Sequence, residues 1–352
     1  MERIRKVTKS IPGIDHEIIK KTQERLNNLT KPLGSLGRLE DLAKQICGIT
    51  GKDSPVLENK VIFTLAADHG VTDEGISAYP KEVTAQMVYN FISGGAGINV
   101  LAKHVGAKVV VVDMGVASDL KPDPGLRVKK INYGTKNMAK GPAMSRDEAI
   151  KAICAGIEIF EEELKLGVDI VGTGEMGIGN TTAASAITAS FTAKSVEEVA
   201  GKGAGLNDSG LKNKIEVIKR SLLVNKPDPT DAIDVLSKVG GFEIAGLAGI
   251  ILAAASHKTP VVIDGFISGA AALVAFKIEP KTKDYMIAAH KSQEGGHKII
   301  LEHIGLRPLL DLDLRLGEGT GGALGIGLAD AAIKVLTQMA TFKSANVSEK
   351  KE

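Results

Sequence analysis

The chain has 352 residues, 43% hydrophobic and 24% charged, with a formal charge of +2. That size suits one large globular unit with a smaller one, and the near-neutral balance gives no field to draw nucleic acid or an acidic membrane. Two cysteines without metal or redox spacing, a charged start at Met1-Glu2-Arg3, and a longest apolar run (Ile244 to Ser256) too short to span a bilayer set the expectation of a cytoplasmic, non-membrane protein.

Residues 15–50 read as two helices, broken between Leu29 and Gly37 where Pro32, Gly34 and Gly37 interrupt the period. Lys60 to Ala67 is an apolar run, the pattern of a strand buried on both faces, and it ends in Asp68-His69-Gly70. Helical patterns follow at 81–92 and 96–105, then a second buried strand from Lys108 to Gly115. A long amphipathic helix is predicted over 145–166 and a third strand over 168–172, with a glycine-rich loop and a small-residue helix after it. Residues 207–224 read as a helix with Asn207 or Asp208 as its cap and Leu211, Ile215, Ile218 and Leu222 at helical spacing. A small-residue helix over 243–256, a fourth strand over 259–265, a helix through 276, a further strand over 285–289 and a helix after Gly322 complete the reading, and the polar tail from Lys343 is expected to fray.

Strands alternating with helices predict an α/β fold, a doubly wound, mostly parallel, Rossmann-like sheet with helices on both faces. Ligands of such sheets bind beyond the carboxyl ends of the strands. The polar and glycine-rich segments fall at those ends, after 67, 113, 171, 263 and 289.

Gly172-Thr173-Gly174-Glu175-Met176-Gly177-Ile178-Gly179-Asn180-Thr181-Thr182 joins a strand to a helix. Its glycines let N–H groups converge, and the helix N-terminus favours a phosphate or carboxylate; a plain strand–helix turn is the competing reading. Gly317-Glu318-Gly319-Thr320-Gly321-Gly322 matches G-x-G-x-x-G, but too little chain follows for the strand and acid that a dinucleotide site requires. What remains is a carboxylate, Glu318, among glycines and near Leu316 and Leu324, suited to a base of raised pKa or to a helix-capping acid.

Lys214 reads by default as a solvated lysine on the polar face of its helix with Lys212 and Lys219, and Arg315 as an anion contact or an ion-pair partner. His290, Glu294 and His297 have a spacing that resembles a metal site, but Gly295-Gly296 disfavours a regular helix there; the better reading is a polar loop offering Ser292 to a phosphate oxygen. Asp68-His69 is either a catalytic pair or a structural turn, and Asp264, ahead of Gly265, can accept ribose hydroxyls. Paired acids for a magnesium-bound pyrophosphate are absent after the strands at Asp113 and Asp264, which points to a donor without one.

Six stretches in order, from Leu29-Thr30-Lys31-Pro32-Leu33-Gly34-Ser35-Leu36-Gly37-Arg38-Leu39-Glu40 through Ala67–Val71, Tyr79–Thr84, Gly174–Thr182 and Val261–Phe266 to Arg315–Gly321, resemble the nicotinate-nucleotide:dimethylbenzimidazole phosphoribosyltransferase family of cobalamin lower-ligand synthesis. The resemblance implies transfer of the 5-phosphoribosyl group of nicotinate mononucleotide to a benzimidazole-type base, with inversion and with neither metal nor organic cofactor. It implies Glu318 as general base with Glu175 beside it. Gly177, Lys214 and Ser292 would contact phosphate, and Arg315, Asp264 and Gly265 would lie on the donor side. Tyr79, Met87 and Leu316 would wall the acceptor pocket. It further implies a homodimer, with a large α/β domain over 55–305 and a small helical domain built from both chain ends, 1–54 plus 306–352. A nucleotide-binding protein without a base, a dehydrogenase and a nucleoside phosphorylase-like enzyme are the alternatives that the residues alone leave open.

Overall fold

The computed structural model describes residues 1–348. Among them, the apolar runs form strands β1 (Lys60–Ala67), β2 (Ala107–Gly115), β3 (Leu126–Val128), β4 (Ile170–Met176), β5 (Val261–Ile263) and β6 (Met286–Ala288). They make one parallel sheet in the order β3-β2-β1-β4-β5-β6. The chain steps outward from β1, then returns to lay β4 on the other side of β1. A crevice opens at such a reversal, beyond the carboxyl ends of the strands.

Alternate residues of β1 face opposite sides of the sheet. Val61, Phe63 and Leu65 join a core with the helices Arg146–Leu164, Phe242–Ser256 and Phe266–Ile278. Ile62 and Ala66 join another with Arg38–Thr50, Gly97–Val105 and Thr320–Gln338. The glycines of the first layer set its spacing: a Cβ on Gly156 would lie 1.9 Å from the Gly246 carbonyl oxygen. In the second layer the two chain ends meet. Arg25 donates to the Leu336 and Thr337 carbonyls, and Leu29 bridges Thr341.

The long helices lie within two residues of their expected bounds, and Asn207 caps Asp208–Asn225 by accepting from Gly210 N–H. Four readings change. The segment from Gly172 to Met176 continues β4 instead of looping, because its glycines serve close approach: a Cβ at Gly174 would lie 2.2 Å from the Glu318 carbonyl oxygen. A regular helix, Gly295–Ile304, starts at the glycine pair, where a Cβ on Gly296 would meet Phe266 and the Val199 carbonyl at 2.6 Å. Lys214 is buried, not solvated. The tail begins with a short helix, Phe342–Ala345, while the expected fraying over 349–352 lies outside the described residues. The short β3 and the Glu2–Lys9 helix are additions to the expected elements; in the helix Ile4 and Val7, with Ile11 beyond it, recur at helical spacing and are buried.

Candidate active site

A cavity of about 710 Å³ opens at the carboxyl ends of the strands, a size that suits a small-molecule site. Glu175, Gly177, Lys214, Gly265, Ser292, Arg315, Leu316, Glu318, Tyr79 and Met87 all line it. Asp264 does not line it; it lies beneath the Glu318 loop. There its Oδ2 accepts from Gly319 N–H at 3.1 Å and its Oδ1 from Gly322 N–H at 3.0 Å, with His290 Nε2 3.5 Å away. Asp264 thus caps the Thr320–Gln338 helix and pins the loop that carries Glu318.

That loop is bent sharply. Gly317, Glu318 and Gly319 have φ of 81°, 64° and 101°. For the glycines this backbone is cheap; for Glu318 it is strained, and the surroundings hold it. Thr64 Oγ1 donates to the Glu318 carbonyl at 3.0 Å. A Cβ on Gly317 would lie 2.3 Å from Glu175 Oε1, so the turn passes directly over the second acid. The Glu318 carboxylate does not cap its own helix. Its Oε2 accepts from Ile98 N–H at 3.1 Å, in the first turn of Gly97–Val105. Burial raises its pKa, the Ile98 N–H opposes that, and the Asp264 charge adds to it. Burial and then the Asp264 charge push Glu175 up to about 8, against a hydrogen bond from Asn180 Nδ2. Burial and the Asp264 charge thus act on both acids in the same direction, upward.

A lysine also lines the cavity. Lys214 is 0% exposed, and its Nζ donates to Thr181 Oγ1 at 2.8 Å and to the Gly201 carbonyl at 3.1 Å. Burial lowers its pKa to about 8, with the Glu294 charge working the other way. Gly203 N–H donates to Glu294 Oε1 at 2.9 Å, and Arg315 donates to the Gly203 carbonyl at 3.3 Å. Ser292 N–H donates to His297 Nδ1 at 3.1 Å, its hydroxyl accepts from Glu294 N–H at 3.3 Å, and the residue lines the cavity. Gly177 and Gly179 form the turn into the Asn180–Thr192 helix. A buried lysine, hydroxyls and a helix N-terminus lining one cavity are groups that suit an anion. The mouth is apolar, with Ile76, Tyr79, Met87, Met176 and Leu316 on its walls; Tyr79 and Leu316 are 52% and 61% exposed.

The spacing of Lys214 held a signal. It follows Leu211 by three residues and precedes Ile218 by four, so it shares their stripe and not that of Lys212 and Lys219. The Gly201–Gly205 run, whose Gly203 lines the cavity, and Asn180, His290 and Glu294 belong to the wall as well. His69 meets Glu243, 174 residues away, at 2.7 Å; no local pattern announces such a pair. Among the described residues, no group of three or more His, Cys, Asp or Glu is placed to hold a metal.

The phosphoribosyltransferase family model matches residues 11–347. The chain is 57% identical over 351 residues to the nicotinate-nucleotide–dimethylbenzimidazole phosphoribosyltransferase of Desulforudis audaxviator, covering 100% of this chain and 99% of that one. Its identity to the enzyme of the same name from Geobacter sulfurreducens is 56% over 336 residues, 96% of each chain. The crystal structure of CobT from Thermus thermophilus superposes with a TM-score of 0.91 at 44% identity, covering 95% of this chain and 100% of that one. The chain belongs to the nicotinate-nucleotide–dimethylbenzimidazole phosphoribosyltransferase family.

Proposed function

We propose that the protein transfers the 5-phosphoribosyl group of nicotinate mononucleotide to 5,6-dimethylbenzimidazole or a related base, giving α-ribazole 5′-phosphate and nicotinate with inversion at C1′. The observation that carries this reading is one cavity lined by two buried acids, a buried lysine and apolar side chains at its mouth. The donor phosphate binds Lys214, the Gly177 N–H and Ser292, with Arg315 and Gly265 on the donor side. The flat acceptor enters past Tyr79, Met87 and Leu316.

One ring nitrogen of the acceptor attacks C1′ as the bond from C1′ to the pyridinium nitrogen breaks, and that electron pair returns to the pyridine. Nicotinate leaves without needing an acid, because its nitrogen was cationic while bonded. Glu318 takes the N–H proton from the acceptor's other nitrogen. Positive charge develops on the ribose, and carboxylates beside it stabilise that charge. Holding the phosphate makes the attack nearly intramolecular. Asp264 acts by fixing the Glu318 loop rather than by meeting ribose. The same reading takes the protein to be a cytoplasmic homodimer, with a 55–305 domain and a helical unit from 1–54 plus 306–352.

The test mixes the protein and nicotinate mononucleotide with dimethylbenzimidazole, other benzimidazoles, adenine and phenols, and follows nicotinate and α-ribotides by chromatography. Nicotinate release matched by an α-ribotide is expected with at least one benzimidazole. No release with any base would refute the reading.

A further inference from the structure

His69 and Glu243 lie outside the cavity wall, and the reaction as described does not use them. The His69 imidazole follows β1 and is buried, with Nε2 2.7 Å from Glu243 Oε1. Glu243 comes from the first turn of Phe242–Ser256, and its Oε2 has no hydrogen-bond partner among the described residues. Burial works to lower the imidazole pKa, but Glu243, by charge and hydrogen bond, and Asp68 raise it above the ordinary value. A buried pair of this kind costs desolvation, and apolar side chains of the same volume are often at least as stable. Stability is therefore weak grounds for its presence.

Its position offers better grounds. Glycines from different elements pack on this one imidazole. A Cβ on Gly177 would lie 2.4 Å from the Ala67 carbonyl oxygen and 3.3 Å from both Cδ2 and Nε2 of the imidazole, and one on Gly241 2.4 Å from Cε1. A Cβ on Gly179 would lie 2.8 Å from Thr72 Cγ2 and 3.5 Å from the His69 Cβ. Gly177 and Gly179 flank a turn that lines the cavity next to Glu175, to which Asn180 donates. The turn is held from one further side, where Ile178 N–H donates to Thr84 Oγ1 at 3.1 Å. Backbone donors serve a bound anion only as well as their direction is fixed beforehand.

We infer that His69 and Glu243 are a positioning pair for the donor phosphate: Glu243 holds the imidazole, and the imidazole seats the Gly177 backbone so that its N–H faces the phosphate. This rests on the transferase reading given above. The pair touches no reacting atom, so its effect falls on donor binding and requires the phosphate to be present.

The experiment compares two donors, nicotinate mononucleotide and the same molecule without its 5′-phosphate, with dimethylbenzimidazole as acceptor. His69→Ala is expected to raise KM for the phosphorylated donor about tenfold, the worth of one hydrogen bond to a charged group, with kcat within about twofold. Both constants for the dephosphorylated donor are expected to stay unchanged. His69→Gln still reaches Glu243 and is expected to recover most of the loss. Because His69→Ala strands a buried carboxylate, the double variant His69→Ala/Glu243→Ala is measured beside it and is expected to show the same split. Equal losses on both donors, or no loss in a folded variant, overturn the inference and leave the transferase reading standing. A wild-type protein that uses neither donor, or both equally well, overturns the phosphate clamp and the inference together.

Discussion

Glu175 and Glu318 sit together in the cavity, and burial with the Asp264 charge raises the pKa of both. Burial and the Asp264 charge put the Glu175 pKa at about 8, so at neutral pH it is mostly a neutral acid. The shift has a consequence for stability. A group raised from 4.5 to about 8 on folding holds, between those values, a proton that the unfolded chain releases. Its contribution to stability is fully present below about pH 4.5 and is lost as the pH rises through about 8. Glu175→Gln is therefore expected to gain stability relative to wild type as the pH rises from about 5 to 8, by on the order of a few kcal/mol at the upper end. Urea unfolding at a series of pH values checks this; a difference that stays constant across the window would contradict it.

At the scale of elements, the glycines mark where backbones touch. The reading of Gly172 to Met176 as a loop followed from glycine content, yet the same residues continue β4 because the Glu318 loop presses on Gly174. Composition shows that a close approach exists and not what approaches, since the partner lies far along the chain. Lys214 is the converse: its place on the apolar stripe was in the sequence, but the Thr181 and Gly201 partners that satisfy it come from other elements. Capped helices and apolar strands were legible because their signals are local. Gly174→Ala, which sets a Cβ against backbone, is expected to cost about 1–3 kcal/mol and most of the activity. Gly141→Ala, with nothing within 4 Å, is the control. Thermal melts and turnover compare the two; a Gly174→Ala protein as active and stable as the control would show that the loop is not seated on β4 in this way.

For the whole molecule, the helices around residues 16–50 and the last long helix close over one face of the sheet, the Glu2–Lys9 helix packs on the other, and the last long helix carries the Glu318 loop at its start. Arg25 donates to the carbonyls of Leu336 and Thr337 at 2.6 and 3.3 Å, at the far end of that helix. A cation there also suits the helix dipole. Arg25→Ala is expected to lower stability by about 1–2 kcal/mol and to leave kcat of the folded protein unchanged, because the loop is pinned separately by Asp264. Denaturant unfolding with parallel turnover tests that separation, and a loss of kcat at full folding would break it. The sheet order itself was only partly legible: alternation predicts a doubly wound sheet, while the placement of β4 beside β1 is a long-range choice. No helix among the described residues is long and apolar enough to cross a membrane.

The central claim is that Glu318 is the base in ribose transfer, and turnover of Glu318→Gln measures it most directly. With nicotinate mononucleotide and dimethylbenzimidazole saturating, kcat is expected to fall by about 10²- to 10⁴-fold, the range for a removed general base, with KM for the donor within a few-fold of wild type. Nicotinate release at the wild-type rate from a folded Glu318→Gln protein would contradict the account.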